Sequence, residues 1–124
     1  MRSNQGDGRG ERYRRLEEAT RHEDPPFAVL DLAALDANAA DLVRRAGGTP
    51  IRVASKSVRC RSVLTRVLAR PGFAGLMTYT LPESLWLVAH GATDVLVAYP
   101  TVHRAALAQL AADDAAKRAI TLMV

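Results

Sequence analysis

Short apolar segments with the length and residue types of β-strands recur along the chain from residue 27 onward. They are FAVLDL (27–32), IRVAS (51–55), FAGLMT (73–78), DVLVAY (94–99) and AITLMV (119–124). Between each pair lies a stretch whose apolar residues repeat at helical spacing, and Gly or Pro often separates the two kinds of segment. The pattern therefore predicts strands that alternate with amphipathic helices.

The stretches between these strands predict four helices, at about 35–46, 60–70, 80–90 and 101–118. Thr80 and Glu83 have the spacing of a capping box, which predicts that the third helix begins there. Thr101 is the predicted N-cap of the fourth helix.

A regular βα repeat predicts an α/β fold with a parallel sheet and right-handed crossovers. The strands are almost continuously apolar, which favours burial on both faces, as in a barrel or a doubly wound sheet. The first strand is followed by no glycine-rich nucleotide fingerprint. A (β/α)8 TIM barrel needs about 250 residues, and this sequence stops inside an apolar run at Val124. We therefore expect a partial TIM barrel, truncated after four to five strands.

The N-terminal region differs from this repeat. Residues 1–10 are polar and glycine-rich, so we expect them to be disordered, whereas 11–22 have helix-forming composition. The predicted organisation is a tail and leader helix at 1–24, followed by part of a barrel at 25–124.

Composition limits the function classes. The chain has 124 residues and a formal net charge of +4, with the excess concentrated around residue 56. No segment is long and apolar enough for a signal peptide or membrane span, so we expect a cytoplasmic protein without a membrane partner. The positive charge lacks the interleaved aromatic residues of nucleic-acid binders, which favours a small anionic ligand. The single cysteine, Cys60, excludes an internal disulfide, and we expect it to pack at a helix start.

Lys56 is the main candidate for chemistry. Of the 17 Lys and Arg residues, only Lys56 and Lys117 are lysines, and 52–70 contains no Asp or Glu. A lysine amine can form a Schiff base with a carbonyl and an arginine cannot. Surrounding arginines should favour the neutral amine, which would lower its pKa. The alternative is an ordinary solvated lysine at a strand end.

These residues together resemble the N-terminal barrel of the fold-type III pyridoxal phosphate enzymes, the superfamily of the alanine racemases. The similarity is greatest to the D-threonine aldolase and D-serine dehydratase branch, and it covers roughly residues 25–124. It rests on the order and spacing of Arg52, Lys56, Arg59, Thr80 with Glu83, and the run 96–100. The residues beside the lysine (Ala54, Ser55, Ser57, Val58) differ from the His-x-Lys-Thr-His-Lys run typical of the branch.

The resemblance implies a lyase that binds pyridoxal 5′-phosphate through Lys56 and cleaves, dehydrates or deaminates a hydroxy amino acid, with the D enantiomer expected. Lys56 would be both the catalytic and the cofactor-binding lysine, and Arg52, Thr80 and Tyr99 would bind the cofactor. Period-two alternation would place Arg52 on the same face as Lys56. Any divalent metal ligands of the family would lie beyond Val124, outside this sequence. The resemblance also implies that the full-length protein is a homodimer.

Several alternatives stay open at this stage. An amino-acid racemase would need a second base that this sequence does not show, and a non-catalytic pyridoxal phosphate carrier would bind the cofactor without turnover. A chain that comprises only half a barrel would expose strand edges and be inactive by itself.

Overall fold

The computed structural model describes residues 7–124, and side chains from residue 8 onward. The described chain contains helices α1 Asp7–Thr20, α2 Leu32–Ala46, α3 Ser55–Val58, α4 Arg61–Leu68, α5 Leu81–Ala89, α6 Arg104–Ala112 and α7 Asp114–Ala119. Its strands are β1 Ile51–Ala54, β2 Phe73–Thr78, β3 Val95–Val97 and β4 Ile120–Leu122. The described chain divides into two compact units, with the boundary between Asp36 and Ala37, inside α2.

The second unit is a mixed α/β structure built on a parallel sheet, as the alternating pattern predicts. The strands lie in the sequential order β1-β2-β3-β4, and each neighbouring pair is parallel. Four of the five predicted strands are therefore confirmed. Right-handed crossovers between strands in sequential order place all the connecting helices on one face of a sheet.

Burial of the strand residues fits this one-sided arrangement. One row across the sheet is buried in all four strands; it consists of Val53, Leu76, Val95 and Ile120. The adjacent row, which points to the opposite face, is half-buried or exposed; it consists of Ala54, Met77, Leu96 and Thr121. The expectation that both faces are buried is therefore wrong for the described chain, because apolar strand residues do not reveal whether a second layer covers them.

The predicted first strand, 27–32, is also wrong: residues 27–31 form no strand and α2 begins at Leu32. Asp31 caps this helix, since its Oδ1 accepts a hydrogen bond from the Ala34 N–H at 3.0 Å. Its Oδ2 lies 3.4 Å from Arg12 Nε and 3.1 Å from Arg15 Nη2. The Ala34 N–H, followed by the two arginines, lowers the pKa of Asp31. A local cap therefore prevails over the strand pattern.

The N-terminal prediction has a mixed outcome. The expected leader helix is present as α1, but it begins earlier than predicted, so residues 7–10 are helical and the expectation of disorder is wrong for them. Residues 1–6 lie outside the described residues. Among the described helices, none is long and apolar enough to cross a membrane.

The predicted helix at 101–118 is divided into α6 and α7. It begins two residues later than expected, because His103 rather than Thr101 is the N-cap: its Nδ1 accepts from the Ala106 N–H at 3.2 Å. Asp113 ends α6 in an extended conformation and caps α7, with its Oδ1 accepting from the N–H groups of Ala115 and Ala116 at 2.9 and 3.0 Å. The capping side chain of Asp113 thus divides the predicted helix into two, although the apolar residues keep their helical spacing.

The neighbouring aspartates 113 and 114 provide a matched stability test of this cap. We expect Asp113→Ala to lower the free energy of unfolding by about 1 kcal/mol, because two backbone N–H groups lose their acceptor. Asp114→Ala removes only an exposed ion pair with Lys117 and should cost at most about 0.5 kcal/mol. Urea unfolding measures both, and equal costs would contradict the capping role of Asp113.

Candidate functional site

The candidate site lies where β1, β2 and β3 end. Ala54, Met77 and Leu96 occupy one row of the parallel sheet. Residues that follow this row leave the sheet at the same edge, which in α/β folds is the usual position of ligand sites. Lys56 and Tyr79 come two residues after the row, and Tyr99 comes three residues after it.

Lys56 and Tyr99 are in direct contact although 43 residues separate them in sequence. Lys56 Nζ donates a hydrogen bond to Tyr99 Oη at 3.0 Å. The ammonium also lies 5.2 Å from the ring centroid of Tyr99 and 5.7 Å from that of Tyr79. The two tyrosine rings pack edge to face, with centroids 4.7 Å apart. All three side chains are exposed, so an amine beside two aromatic rings is accessible from solvent.

The environment of Lys56 raises its pKa above the ordinary lysine value, chiefly because of the hydrogen bond to the Tyr99 hydroxyl. The charges of Tyr99 and Tyr79 add to this effect, while desolvation opposes it. The predicted direction, towards a neutral amine, is therefore wrong. The main cause of the shift is a tyrosine from another strand end, and none of the arginines nearby in sequence is among the causes.

Lys56 is not a strand residue, because β1 ends at Ala54 and Lys56 belongs to the single helical turn α3. The alternation argument that placed Arg52 beside Lys56 therefore does not apply. Arg52 lies earlier on β1, where its Nη1 contacts Asp94 Oδ1 at 2.7 Å. Both side chains are partly exposed, at 38% and 48%. The cofactor role of Arg52 stays a prediction, and in the structure its guanidinium is engaged by the Asp94 carboxylate.

The start of α5 is fixed by a polar cluster. Thr80 caps the helix by accepting from the Glu83 N–H at 3.3 Å, which confirms the predicted helix start. Glu83 in turn accepts a hydrogen bond from the Tyr79 N–H at 3.3 Å and one from Ser55 Oγ at 2.6 Å. Ser55 is 1% exposed. Glu83 therefore connects α3, which carries Lys56, to the end of β2, which carries Tyr79.

A cavity of about 430 Å³ lies on the Tyr99 side of this cluster. Its lining consists of Tyr79, Thr80, Pro82, Tyr99, Pro100, Thr101 and His103. The structure therefore brings together three of the four predicted site residues, Lys56 by contact with Tyr99 and Thr80 by sharing this cavity, and leaves Arg52 outside the group.

Sequence reasoning missed Tyr79, which approaches both Lys56 and Tyr99. Its position directly after the predicted strand at 73–78 is the sequence signal that could have revealed it. Asp94 and Ser55 were also missed; their partners, Arg52 and Glu83, are 42 and 28 residues away. No local pattern in the sequence marks such pairs.

No family model, curated protein or solved structure matches this chain. Within the described residues, no group of three or more His, Cys, Asp or Glu side chains is arranged to hold a metal ion.

Substitution of Tyr99 tests the control of the lysine charge. In Tyr99→Phe the pKa of Lys56 should fall towards the ordinary lysine value, because the hydroxyl that accepts its hydrogen bond is lost. The change should be smaller in Tyr79→Phe, which removes only a more distant charge. Reductive ¹³C-methylation followed by NMR titration measures both lysines of the chain, and Lys117 is the internal control. An unchanged Lys56 titration in Tyr99→Phe would contradict the assignment.

Proposed function

We propose that this chain is the N-terminal part of a pyridoxal phosphate-dependent lyase that acts on a hydroxy amino acid, with the D enantiomer favoured. The observation that carries the proposal is the position of Lys56. It is one of two lysines in the chain, and it lies just beyond the C-terminal end of a parallel strand, beside two tyrosines. Lysines that hold a carbonyl cofactor need such an accessible position at a pocket.

The topology supports a barrel as the framework. Sequential parallel strands with helices on one face are what a (β/α)8 TIM barrel requires, because a doubly wound sheet reverses its strand order. In such a barrel the half-exposed row through Ala54, Met77 and Leu96 would face the interior. The proposed fold is therefore a partial TIM barrel of the alanine racemase type, with its site at the C-terminal edge of the strands.

The residues around Lys56 suit a planar aldehyde cofactor. The Lys56 amine is the group that would hold it covalently, and the two tyrosine rings offer aromatic faces beside that amine. Thr80 and Tyr99 add hydroxyl groups at the neighbouring cavity. When bound, pyridoxal phosphate supplies an electron sink for charge that develops at the substrate α-carbon.

The proton on Lys56 Nζ governs the reactivity of this site. An ammonium is not nucleophilic, so the amine must lose a proton before it can bond to an aldehyde. The Tyr99 hydroxyl orients Nζ and also stabilises its charged form. Tyr99 thus has two opposing effects: it positions the amine, and it lowers the fraction that is neutral near pH 7.

Borohydride trapping tests the proposal. With one equivalent of pyridoxal phosphate, reduction should attach the pyridoxyl group to the peptide that contains Lys56, and peptide mass spectrometry would locate it. Lys117→Ala is the matched control and should trap as well as the wild type, whereas Lys56→Ala should not trap. Trapping should increase with pH, because the neutral amine is the reactive form.

A second measurement separates an enzyme from a carrier. A D-hydroxy amino acid that reacts at the site would displace Lys56, so preincubation with D-threonine or D-serine should reduce trapping. A carrier would trap equally with and without the amino acid. Equal labelling of Lys56 and Lys117 would show that Lys56 is an ordinary strand-end lysine and would refute the proposal.

A further inference from the structure

A second cavity, of about 320 Å³, adjoins the first. It is formed by the segment from α3 to α4 on one side and by the first turns of α5 on the other. Tyr79 and Thr80 line both cavities, whereas Lys56 is not part of this lining. The side chains that give the cavity its chemical character are Arg59, Cys60, Arg61, Glu83 and Trp86.

Two arginines of this cavity have hydrogen-bonding capacity to spare. Arg59 donates only its Nε, to the Lys56 carbonyl at 3.2 Å, and its two terminal NH₂ groups have no partner among the described residues. Arg61 makes no side-chain hydrogen bond or ion pair within that part of the chain; its guanidinium lies over the Trp86 ring, 5.9 Å from the centroid. A guanidinium carries five N–H donors, so many donors remain free.

The one acidic side chain in the lining, Glu83, is already engaged. Its carboxylate oxygens accept from Ser55 Oγ and from the Tyr79 N–H. Two cations therefore face one carboxylate, so the charged side chains of the lining have a positive balance. Paired guanidinium groups match the oxygens of a phosphate group better than a single lysine does.

We propose that this cavity binds small molecules that carry a phosphate group, through Arg59 and Arg61 with Trp86 as an apolar wall. The cavity volume is near the lower limit for small-ligand pockets, which suits a small ligand. The ligand could be a free phosphate metabolite or the phosphate group of a cofactor; both have the same chemistry. The inference stands without the proposed function, because Lys56 takes no part in it.

The chain carries two built-in reporters of this cavity. Cys60 is the only cysteine and Trp86 the only tryptophan of the sequence, and both line the cavity. The Cys60 thiol is exposed, and its pKa is lowered mainly by its hydrogen bond with Ser62 Oγ at 3.2 Å. Its alkylation rate therefore measures access to the cavity, and its preference for charged reagents measures the local field.

The experiment follows alkylation of Cys60 in the full chain at constant ionic strength. Inorganic phosphate should slow the reaction with neutral iodoacetamide saturably, and acetate at the same concentration should not. In Arg61→Gln the affinity for phosphate should fall about tenfold, because charge-assisted hydrogen bonds are lost. In the same variant the ratio of the iodoacetate rate to the iodoacetamide rate should fall roughly fivefold, because loss of one positive charge at about 4 Å in water removes about 1 kcal/mol of attraction for the anionic reagent.

Matched controls separate this proposal from a general charge effect. Arg104→Gln removes the same charge from α6, outside the lining of this cavity, and should leave phosphate protection unchanged. Lys56→Ala should also keep the phosphate protection, so the inference and the pyridoxal phosphate proposal can fail independently.

The Lys56→Ala variant also tests the source of the phosphate group. Protection of Cys60 by pyridoxal phosphate but not by pyridoxal would identify a cofactor phosphate as one source. Trp86 fluorescence titration with inorganic phosphate gives a second measure of affinity.

The proposal is overturned if phosphate gives no protection, if acetate protects equally, or if Arg61→Gln is protected as well as the wild type. Circular dichroism establishes that each variant is folded. Arg61 is the preferred target because Arg59 has a left-handed backbone, with φ of 46°, and its side chain closes α3. Substitution of Arg59 would therefore alter α3 as well as the charge of the cavity.

Discussion

The parallel register of β1, β2 and β3 is the constraint on which the candidate site depends. Because Ala54, Met77 and Leu96 lie in one row, the chain leaves all three strands at the same height. Lys56, Tyr79 and Tyr99 then meet without any segment having to reach across the sheet. A slip of one residue in a single strand would turn its side chains to the other face and would separate the amine from its hydroxyl partner.

A buried polar cluster holds this arrangement in place. Thr78 and Ser84 are hydrogen-bonded at 2.6 Å, and Ser84 Oγ also donates to the Thr80 carbonyl at 2.8 Å. Glu83 extends the cluster to Ser55. No buried side-chain N or O atom of the described residues lacks a hydrogen-bond partner. Satisfied networks of this kind favour a single geometry, because any other arrangement leaves a buried polar group unpaired. The first turn of α5 is thus both a helix start and the support between the two cavities.

Much of the second unit could be predicted from sequence, because its determinants are local. The strand at 73–78 has the predicted bounds, and the capping spacing of Thr80 and Glu83 marks the true start of α5. The failures have non-local or competing causes. Residues 27–31 have strand-like composition, but a strand needs a partner, and Asp31 caps a helix instead. Asp113 interrupts an otherwise continuous helical period. The charge state of Lys56 depends on Tyr99, whose proximity only the sheet register establishes.

The arginines and the lysine at this edge of the sheet suit different kinds of chemistry. Arginines 59 and 61 stay charged at any physiological pH, so they suit the permanent recognition of an anion. Lys56 alone can become neutral, yet its contact with Tyr99 stabilises the charged form. A nucleophilic role requires Nζ to lose a proton, and the hydrogen bond to the Tyr99 hydroxyl opposes that loss because it stabilises the ammonium. The register that brings Tyr99 to Lys56 therefore also sets the direction in which the pKa of the lysine is shifted.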